Sequence, residues 1–386
     1  MPDVHAGIGC VIGFTGDLGD KVIPNVVGVD IGCGMLCVEL GKVDIDLEKL
    51  DKVIRGNVPS GRNVRDNLIV PFDLTRLFCY DKLKDIDWIK NSIGTLGGGN
   101  HFIEIDVDDE GNKYLVIHTG SRNLGNQVAK IYQDMAIKNC SYDEEMRIEK
   151  RDMIDKLKSE GREREIQENL NIITKKYKDI TKLPRDLCYL DGNLREDYLH
   201  DMKICQEFAT KNRYMIAYII LKEMFPNPNY IEPGTEDYDV FYSSDVYNPI
   251  GLDKIVMFET IHNYISFDDN IIRKGAISAK KGKRVLIPMN MRDGCIIGIG
   301  KGNDDWNQSA PHGAGRIMSR MEAKKNIDMK DFKDSMNGVY TTSVNEQTID
   351  ESPFAYKPMD EIIKNIGDTV DIERIIKPIY NFKASE

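Results

Sequence analysis

HFIEIDVDDEGNKYLVIHT, residues 101–119, consists of two apolar runs joined by a short acidic turn. The runs HFIEIDV (101–107) and KYLVIHT (113–119) carry the branched and aromatic side chains that favour strands. The residues between them, DDEGN, are suited to a hairpin tip because they include glycine and asparagine. This stretch therefore predicts an antiparallel β-hairpin.

Further strands and helices are predicted on both sides of this hairpin. Apolar runs broken by glycine and proline predict strands at IGCVIGF (8–14), VIPNVVGV (22–29), KIVMFETI (254–261), KRVLIPM (283–289) and GCIIGIG (294–300). Helical spacing of apolar residues predicts helices within 41–92, around a loop at 55–67, and at 124–139 and 194–224, with a loop and a helix in 307–325. Strands and helices alternate irregularly, and no repeat or linker divides the chain. The prediction is the α+β class, with a single large mixed α/β domain over residues 1–386.

The segment 141–183 differs from the rest of the chain because it is highly charged. Its apolar residues recur at three- and four-residue intervals, which predicts helices, and Gly161 would break them into a hairpin. We interpret the segment as a charged helical insertion within the domain. Its charges fit a solvated face better than a binding site.

The composition is that of an ordinary globular protein, with 386 residues, 41% of them hydrophobic and 30% charged. No stretch approaches the ~20 apolar residues of a membrane span, and the N-terminus lacks the features of a signal peptide. Eight cysteines without a CxxC pair argue against a disulfide framework or a zinc ribbon. We therefore expect a cytoplasmic protein without a membrane partner.

The net charge of −11 argues against a protein that coats nucleic acid nonspecifically. A local basic surface remains compatible with this charge. The candidate is a run between positions 273 and 284, in which the basic residues are Arg273, Lys274, Lys280, Lys281, Lys283 and Arg284. The run fits either an RNA-contacting surface or a solvated charged turn.

Five of the six histidines lie in segments that do not resemble core, namely His5, His101, His118, His262 and His312. Asp30 and Cys33 in VGVDIGCGM (27–35) add a carboxylate and a thiol. Together these groups offer the oxygen, nitrogen and sulfur ligands that suit a borderline divalent metal such as Mn²⁺ or Zn²⁺. The donor set alone does not choose the metal.

The glycines of VGVDIGCGM allow a tight turn at the end of a strand, so Asp30 and Cys33 can face one point. A thiolate can bridge two cations, which a neutral imidazole cannot. The alternative is a buried structural cysteine beside a turn-capping aspartate.

Asn100 and Glu104 lie four residues apart on a predicted strand and therefore share a face. An amide and a carboxylate on one face suit a purine edge and a phosphate oxygen, although a hydrogen-bonded strand end would look the same. Downstream, HTGSRNLGN (118–126) predicts a strand-to-helix turn that could bind an anion. Arg122 in that turn could grip a phosphate.

His312 in APHGAGR precedes two glycines and an arginine at the start of a predicted helix. It could be a metal ligand, a general base, or a nucleophile that forms a phosphoramidate, and the pattern does not choose among them. The chain has neither a P-loop nor the motif of a lysine-adenylating ligase.

Taken together, these segments resemble the RtcB family of RNA-splicing ligases. The shared segments occur in the family's order: MPDVHAGIG, VGVDIGCGM, GTLGGGNHFIEI, HTGSRNLGN, the IHN of ETIHNYI, RKGAISA, GKGN and HGAGRIMSR. Each is weak alone, but eight in register extend the match over nearly the whole chain.

The resemblance implies a GTP- and Mn²⁺-dependent ligase, in RNA repair or tRNA splicing, that joins RNA 3′-phosphate or 2′,3′-cyclic phosphate ends to 5′-hydroxyl ends. His312 matches the histidine that attacks the α-phosphate of GTP and carries GMP. The implied ligands of two Mn²⁺ ions, with the cysteine as bridge, are Asp30, Cys33, His101, His118 and His262. The implied nucleotide contacts are Asn100, Glu104, Asn290, Cys295, Ala314, Gly315 and Lys383, and the implied RNA contacts are Arg122 and Arg316. An activating protein partner is possible in such a family, and the sequence gives no oligomeric state.

The chain departs from the family's pattern in three places. It begins at MPDVH, whereas the family usually carries several dozen residues before this segment, so we expect a shortened member or an internal start. Where the family usually has glycine-serine-methionine-glycine, this chain has Met289, Asn290, Met291 and Arg292, and Cys295 replaces a further serine. The third departure is the segment 141–183, which is unusually charged. Two alternatives follow: a paralogue with an intact metal centre but other RNA-end chemistry, such as cyclic-phosphate hydrolysis or end capping, or a metal-stabilised RNA-binding protein without turnover.

Overall fold

The structure, a computed structural model, describes residues 1–178, 180–225 and 256–384. Within these ranges the strands are β1 (Phe14–Asp17), β2 (Gly34–Gly41), β3 (Phe102–Val107), β4 (Lys113–Thr119), β5 (Val256–Ile261), β6 (Asn263–Ser266), β7 (Ile271–Lys274), β8 (Ala276–Ser278), β9 (Arg284–Asn290), β10 (Gly294–Gly300), β11 (Ser309–Pro311) and β12 (Val370–Lys383). The α-helices are α1 (Pro24–Val27), α2 (Leu47–Asn57), α3 (Ile86–Lys90), α4 (Arg122–Asn139), α5 (Asp143–Ser159), α6 (Ile166–Tyr177), α7 (Gly192–Met224), α8 (Arg320–Asn326), α9 (Met329–Ser335) and α10 (Met359–Ile366).

A seven-stranded antiparallel sheet, in the order β5-β2-β4-β3-β12-β10-β9, forms the centre of the fold. Two smaller sheets, β1-β7-β6 and β11-β8, lie beside it. Together with the long helices, the sheet confirms the predicted α+β class and the single mixed domain. No helix in the described ranges is long and apolar enough to cross a membrane.

Alternation of side chains along β3 separates the two faces of the central sheet. Ile103 and Ile105 pack with residues of α7 and α2 in one hydrophobic cluster. Phe102 belongs to a different cluster, formed with residues of β2, β4, β9, β10 and β12. Glu104 and Asp106 lie on the same face of β3 as Phe102. Their two carboxyl groups therefore point into the protein interior on the side of the sheet away from α7.

The hairpin prediction is confirmed, since β3 and β4 pair antiparallel from Phe102 opposite His118 to Val107 opposite Lys113. The helices predicted at 124–139 and 194–224 appear as α4 and α7. The strands predicted at 254–261, 283–289 and 294–300 appear as β5, β9 and β10, although positions 254 and 255 lie outside the described residues.

Two strand predictions near the N-terminus are wrong. Residues 22–29 contain the one-turn helix α1, because Pro24 has no N–H to contribute to a sheet and fits the first turn of a helix. In 8–14, Ile8 is 65% exposed and the pairing is limited to a single bridge between His5 and Ile12 before β1 begins. The glycines of this segment favour a loop rather than a strand.

The helices predicted within 141–183 are confirmed as α5 and α6, which pack against each other. Gly161, with a φ of 70°, lies in the turn between them. The exposed ion pairs Lys176–Glu149, between α6 and α5, and Lys182–Glu145, between the chain after α6 and α5, lie at the surface of the hairpin. Its status as an insertion remains a prediction.

The basic run at 273–284 does not form one basic surface. Arg273 is fully buried and bound to Asp269, and buried Lys274 donates to the carbonyl groups of Ile8 and Asn25. Arg284 forms ion pairs with two glutamates. The interpretation of the whole run as an RNA-contacting surface is therefore wrong, because at least half of its charges are already neutralised or buried.

Candidate active site

Four neighbouring strands of the central sheet bring the predicted metal ligands together at one end of the strands. Asp30 and Cys33 precede β2, His101 precedes β3, His118 lies near the end of β4, and His262 follows β5. Since β5, β2, β4 and β3 are adjacent and antiparallel, the first residues of some strands and the last residues of others lie side by side at this end of the sheet. Ligands separated by more than 230 positions therefore meet.

The five predicted ligands form two groups of three that share Cys33. One group contains Cys33, His118 and His262, the other contains Asp30, Cys33 and His101, and the ligand atoms within each group lie within 4.8 Å of one another. The Cys33 Sγ is 3.3 Å from His118 Nε2 and 3.5 Å from His101 Nε2. His101 Nε2 is 3.0 Å from Asp30 Oδ2. A thiolate common to two ligand groups suits a bridge between two cations.

The second nitrogen of two of these imidazoles is held by the backbone. His101 Nδ1 lies 2.9 Å from the carbonyl oxygen of Leu96, and His118 Nδ1 lies 3.1 Å from that of Asn100. Nδ1 must donate in both cases, so Nε2 keeps its lone pair for a metal. Burial lowers the pKa of His118 and of His262 well below the usual range, and neighbouring positive charge adds to this effect. Both imidazoles are therefore neutral, as ligands must be.

Arg213 of α7 binds the backbone of two segments that carry predicted metal ligands. Its guanidinium is fully buried, forms a 2.7 Å ion pair with Glu259, and donates to the carbonyl groups of Gly32 and Thr119 at 2.8 and 2.9 Å. One side chain thus ties the loop that carries Cys33 to the strand that carries His118. Sequence reasoning missed this residue, although an arginine within an apolar helix face was a visible signal.

We expect Arg213→Met to lower the free energy of unfolding by about 3 kcal/mol or more, because Glu259 and two carbonyl groups lose their partner. Metal affinity should fall with it, since the ligand loops lose their common anchor. Denaturant unfolding and metal titration measure the two effects. Lys203→Met, on the exposed side of the same helix, is the matched control, and an Arg213 variant as stable as this control would contradict the prediction.

His312 lies directly after β11, at the border between the ligand groups and a neighbouring cavity. Its ring centroid is 5.0 Å from that of His262. Its Nδ1 is 2.6 Å from the Oδ2 of fully buried Asp3, which also accepts a hydrogen bond from the His312 backbone N–H at 3.1 Å. Sequence reasoning missed Asp3. The helix predicted to start at His312 is wrong, because α8 begins only at Arg320, where Ser319 provides a capping box.

The cavity beside His312 has a volume of about 340 Å³, within the range of small-molecule sites. Its lining includes six of the seven predicted nucleotide contacts, namely Asn100, Glu104, Asn290, Ala314, Gly315 and Lys383. It also includes Arg316, which was predicted to contact RNA, and His5, to which no particular role was assigned. Sequence reasoning did not single out Phe102, Arg320 and Tyr356, which line the cavity as well. The backbone approaches closely at Gly315, where a Cβ would lie 2.5 Å from the carbonyl oxygen of Asp3. The glycine is thus required by the packing of the loop.

Cys295 does not line the cavity. It is fully buried, and its Sγ lies within 4.8 Å of the Glu104 and Asp106 carboxyl groups. The expectation of a direct nucleotide contact by Cys295 is therefore not met by the geometry, because the side chain lies in the layer behind Glu104. Asn290 does line the cavity, and its amide donates to Asp293 at 2.8 Å.

The two predicted RNA-contacting arginines lie on different sides of the site. Arg316 is in the cavity wall, where its guanidinium donates to Glu351 and to the Tyr356 hydroxyl. Arg122 lies in a second cleft that also exposes Asp30 and His101. It has a φ of 55°, rare for a residue with a side chain, and donates to Thr95 and to the carbonyl of Gly61. The ligand groups are thus open to both the cavity and the cleft.

Two groups of candidate metal ligands lie beside a cavity of nucleotide size, with a histidine between them. This is the arrangement expected of an enzyme that transfers nucleotidyl groups with divalent metals. The sequence pattern of the family described as tRNA-splicing ligase RtcB matches residues 1–78 and 80–384. The chain belongs to the RtcB family of RNA ligases, as its motifs predict.

Similar proteins come from all three domains of life. RNA-splicing ligase RtcB of Escherichia coli K12 is 30% identical, over 100% of this chain and 89% of that protein. The tRNA-splicing ligase RtcB of Nanoarchaeum equitans is 26% identical, over 97% of this chain and 85% of that protein. RNA-splicing ligase RtcB homolog 1 of Entamoeba dispar is 25% identical, over 96% of this chain and 74% of that protein.

Proposed function

We propose that the chain is a GTP-dependent ligase that joins RNA 3′-phosphate or 2′,3′-cyclic phosphate ends to 5′-hydroxyl ends, with His312 as the carrier of GMP. The observation that carries this proposal is the position of His312, which lines the cavity, contacts Asp3 through Nδ1 and lies 5.0 Å from a ligand imidazole. An imidazole between a nucleotide cavity and two cation sites is suited to attack a phosphate.

The contact with Asp3 determines which nitrogen of His312 is the nucleophile. Because a carboxylate only accepts hydrogen bonds, Nδ1 carries the proton and Nε2 carries the lone pair. In the first step Nε2 forms a bond to the α-phosphorus of GTP, the bond from that phosphorus to the β-phosphate oxygen breaks, and pyrophosphate leaves. The Asp3 carboxylate stabilises the positive charge on the ring as the bond forms, as the aspartate of a hydrolase triad does.

Two transfers complete the reaction. At a 2′,3′-cyclic phosphate end, water first attacks the phosphorus, the bond from phosphorus to the ribose O2′ breaks with a proton passing to O2′, and a 3′-phosphate results. An oxygen of this 3′-phosphate attacks the phosphorus held on His312, the phosphorus–nitrogen bond breaks, and GMP passes to the RNA. The 5′-hydroxyl oxygen then attacks the RNA 3′-phosphorus, loses its proton, and GMP leaves. Arg122 in the cleft and Arg316 at the cavity are proposed to hold RNA phosphates on the two sides of the site.

The residues proposed to hold two Mn²⁺ ions, with the cysteine in common, are Asp30, Cys33, His101, His118 and His262. The fit rests on the two ligand groups, on the shared thiol and on the backbone contacts that leave Nε2 free. Bound divalent ions supply charge neutralisation for the phosphate oxygens and orientation for in-line displacement. The chain itself provides a buried site with neutral imidazoles.

Guanine recognition is proposed for the floor of the cavity. Glu104 presents two acceptor oxygens, which match the N1–H and N2–H donors of guanine. Lys383 reaches the cavity at the end of β12, where its ammonium group lies 2.7 Å from Glu351. Asn100 and Asn290 are proposed to contact phosphate, and the loop at Ala314 and Gly315 to lie against the nucleotide.

Incubation with Mn²⁺ and α-labelled GTP tests the first step, and we expect an acid-labile, base-stable label on the protein. Addition of RNA fragments with 2′,3′-cyclic phosphate and 5′-hydroxyl ends should then give a joined product. Label followed by hydrolysed or capped ends, instead of joined RNA, would favour a paralogue with other RNA-end chemistry. Absence of label would contradict the proposal.

A further inference from the structure

Glu104 in the floor of the cavity and Asp106 directly behind it are two carboxyl groups that form no ion pair with any described residue. Glu104 and Asp106 are 2% and 0% exposed, and their oxygens lie within 4.8 Å of each other and of Cys295 Sγ. Two buried carboxyl groups at this distance cannot both ionise easily, because each anion raises the cost of the other. The pair therefore keeps at least one proton over a wide range of pH.

The nearest lysine in the cavity does not neutralise the pair. Lys383 forms its ion pair with Glu351, and among the described residues Glu104 has no ion-pair partner. The Glu104 carboxyl receives one hydrogen bond, from the Asn381 amide on β12. The groups that face the pair from β10 and β2 are the thiols of Cys295 and Cys37, and from β4 the apolar Val116 lies opposite Glu104.

The proton of the pair belongs on Asp106. Neither Asp106 oxygen has a hydrogen-bond partner, and only the weakly donating thiol of Cys295 is close. Burial and the neighbouring Glu104 raise the pKa of Asp106 well above its usual range. Burial also raises the pKa of Glu104, to about 7, against the opposing effects of Asn381 and Lys383. Glu104 is thus the carboxyl group that gains or loses a proton near neutral pH.

We propose that a single proton on Glu104 selects the base that the cavity binds, guanine when Glu104 is ionised and adenine when it is protonated. This inference rests on the proposed function, since it assumes that Glu104 contacts the base. A carboxylate offers two acceptors, which complement N1–H and N2–H of guanine. A carboxylic acid offers one donor and one acceptor, which complement N1 and the N6 amino group of adenine.

The sign of the pH effect follows from the protonation state that each base requires. Above about pH 7 Glu104 is ionised and guanine is favoured, whereas below it the protonated acid loses an acceptor and gains a donor. The ratio of AMP to GMP dissociation constants should therefore fall about tenfold for each pH unit of acidification around the midpoint. The phosphate group is common to GMP and AMP, so the effect of its protonation cancels in the ratio.

The test is to measure the dissociation constants of GMP and AMP between pH 5.5 and pH 8.5, for the whole protein and for Glu104→Gln. Glutamine always offers one donor and one acceptor, so we expect this variant to prefer AMP at every pH, with a constant ratio. Asp106→Asn is the matched control, because an amide mimics a protonated carboxyl group. The pH at which the preference changes from GMP to AMP should therefore stay within about half a pH unit of the wild-type value.

Two outcomes would overturn the inference alone. One is a GMP preference that does not change with pH in the wild type, a result that needs no variant to fold. The other is a midpoint that moves by more than about one pH unit in Asp106→Asn, because Asp106 would then carry charge. Failure of GMP to bind at pH 8.5, where Glu104 is ionised, would instead contradict the proposed function and the inference with it.

Discussion

The His312→Ala variant takes up no label from α-labelled GTP and joins no RNA, an expected loss of at least ~10³-fold in the rate of both reactions. Alanine leaves neither the nitrogen that forms the bond to phosphorus nor the ring that Asp3 orients. The loss should be complete in the first step, because no other imidazole of the lining occupies the position of His312. His118 and His262 belong to the candidate metal ligands, and the ring of His5 lies 6.4 Å from that of His312.

The design of this experiment separates loss of the nucleophile from loss of the fold. His200→Ala, which removes the histidine outside the site, should label and ligate like the wild type. RNA that already carries GMP on its 3′-phosphate bypasses His312, so the His312 variant should still join it to a 5′-hydroxyl end. Label on His312→Ala equal to the wild type would exclude this residue as the carrier of GMP.

The second large effect is expected for Cys33→Ala, because Cys33 is common to both ligand groups. Removal of the thiol takes one ligand from each group, and we expect the affinity for Mn²⁺ to fall by more than ~100-fold and ligation to disappear. Metal titration and metal content after desalting measure the binding independently of activity.

Cys10→Ala is the matched control for this variant, since Cys10 is a free and only partly buried cysteine outside the ligand groups. It should bind two ions per chain like the wild type. A Cys33 variant that retains two ions with unchanged affinity would show that the thiol is not a ligand, and the arrangement of two groups around it would need another explanation.

The central hairpin could be predicted from sequence because both of its strands and its turn lie within 19 residues, 101–119. The long helices could be predicted as well, because the spacing of their apolar residues is a local pattern. The residue types of the candidate metal ligands could be recognised in the sequence. Their proximity in space could not be predicted, because it depends on the order β5-β2-β4-β3 in the sheet. Strand order is a property of long-range pairing, which a local pattern does not encode.

The residues that sequence reasoning missed are those whose role depends on a distant partner. Asp3 is 309 positions from His312. Arg213 is 181 positions from Gly32 and 94 from Thr119. Asp106 acquires its significance only beside Glu104 and Cys295. The basic run at 273–284 shows the opposite error, in which visible charge was taken for exposed charge although Arg273 is fully buried.

The position of β12 in the sheet has a consequence for the synthesis of the enzyme. This strand, Val370–Lys383, is the last in the described part of the chain and lies between β3 and β10. It supplies Lys383 to the cavity lining, and its Asn381 donates a hydrogen bond to Glu104. A nascent chain that has reached residue 369 contains all five candidate metal ligands and His312, yet the two halves of its central sheet have no strand to join them. The ribosome therefore releases β12 after every other element that builds the proposed nucleotide cavity, so the wall of that cavity is completed only when this strand has emerged.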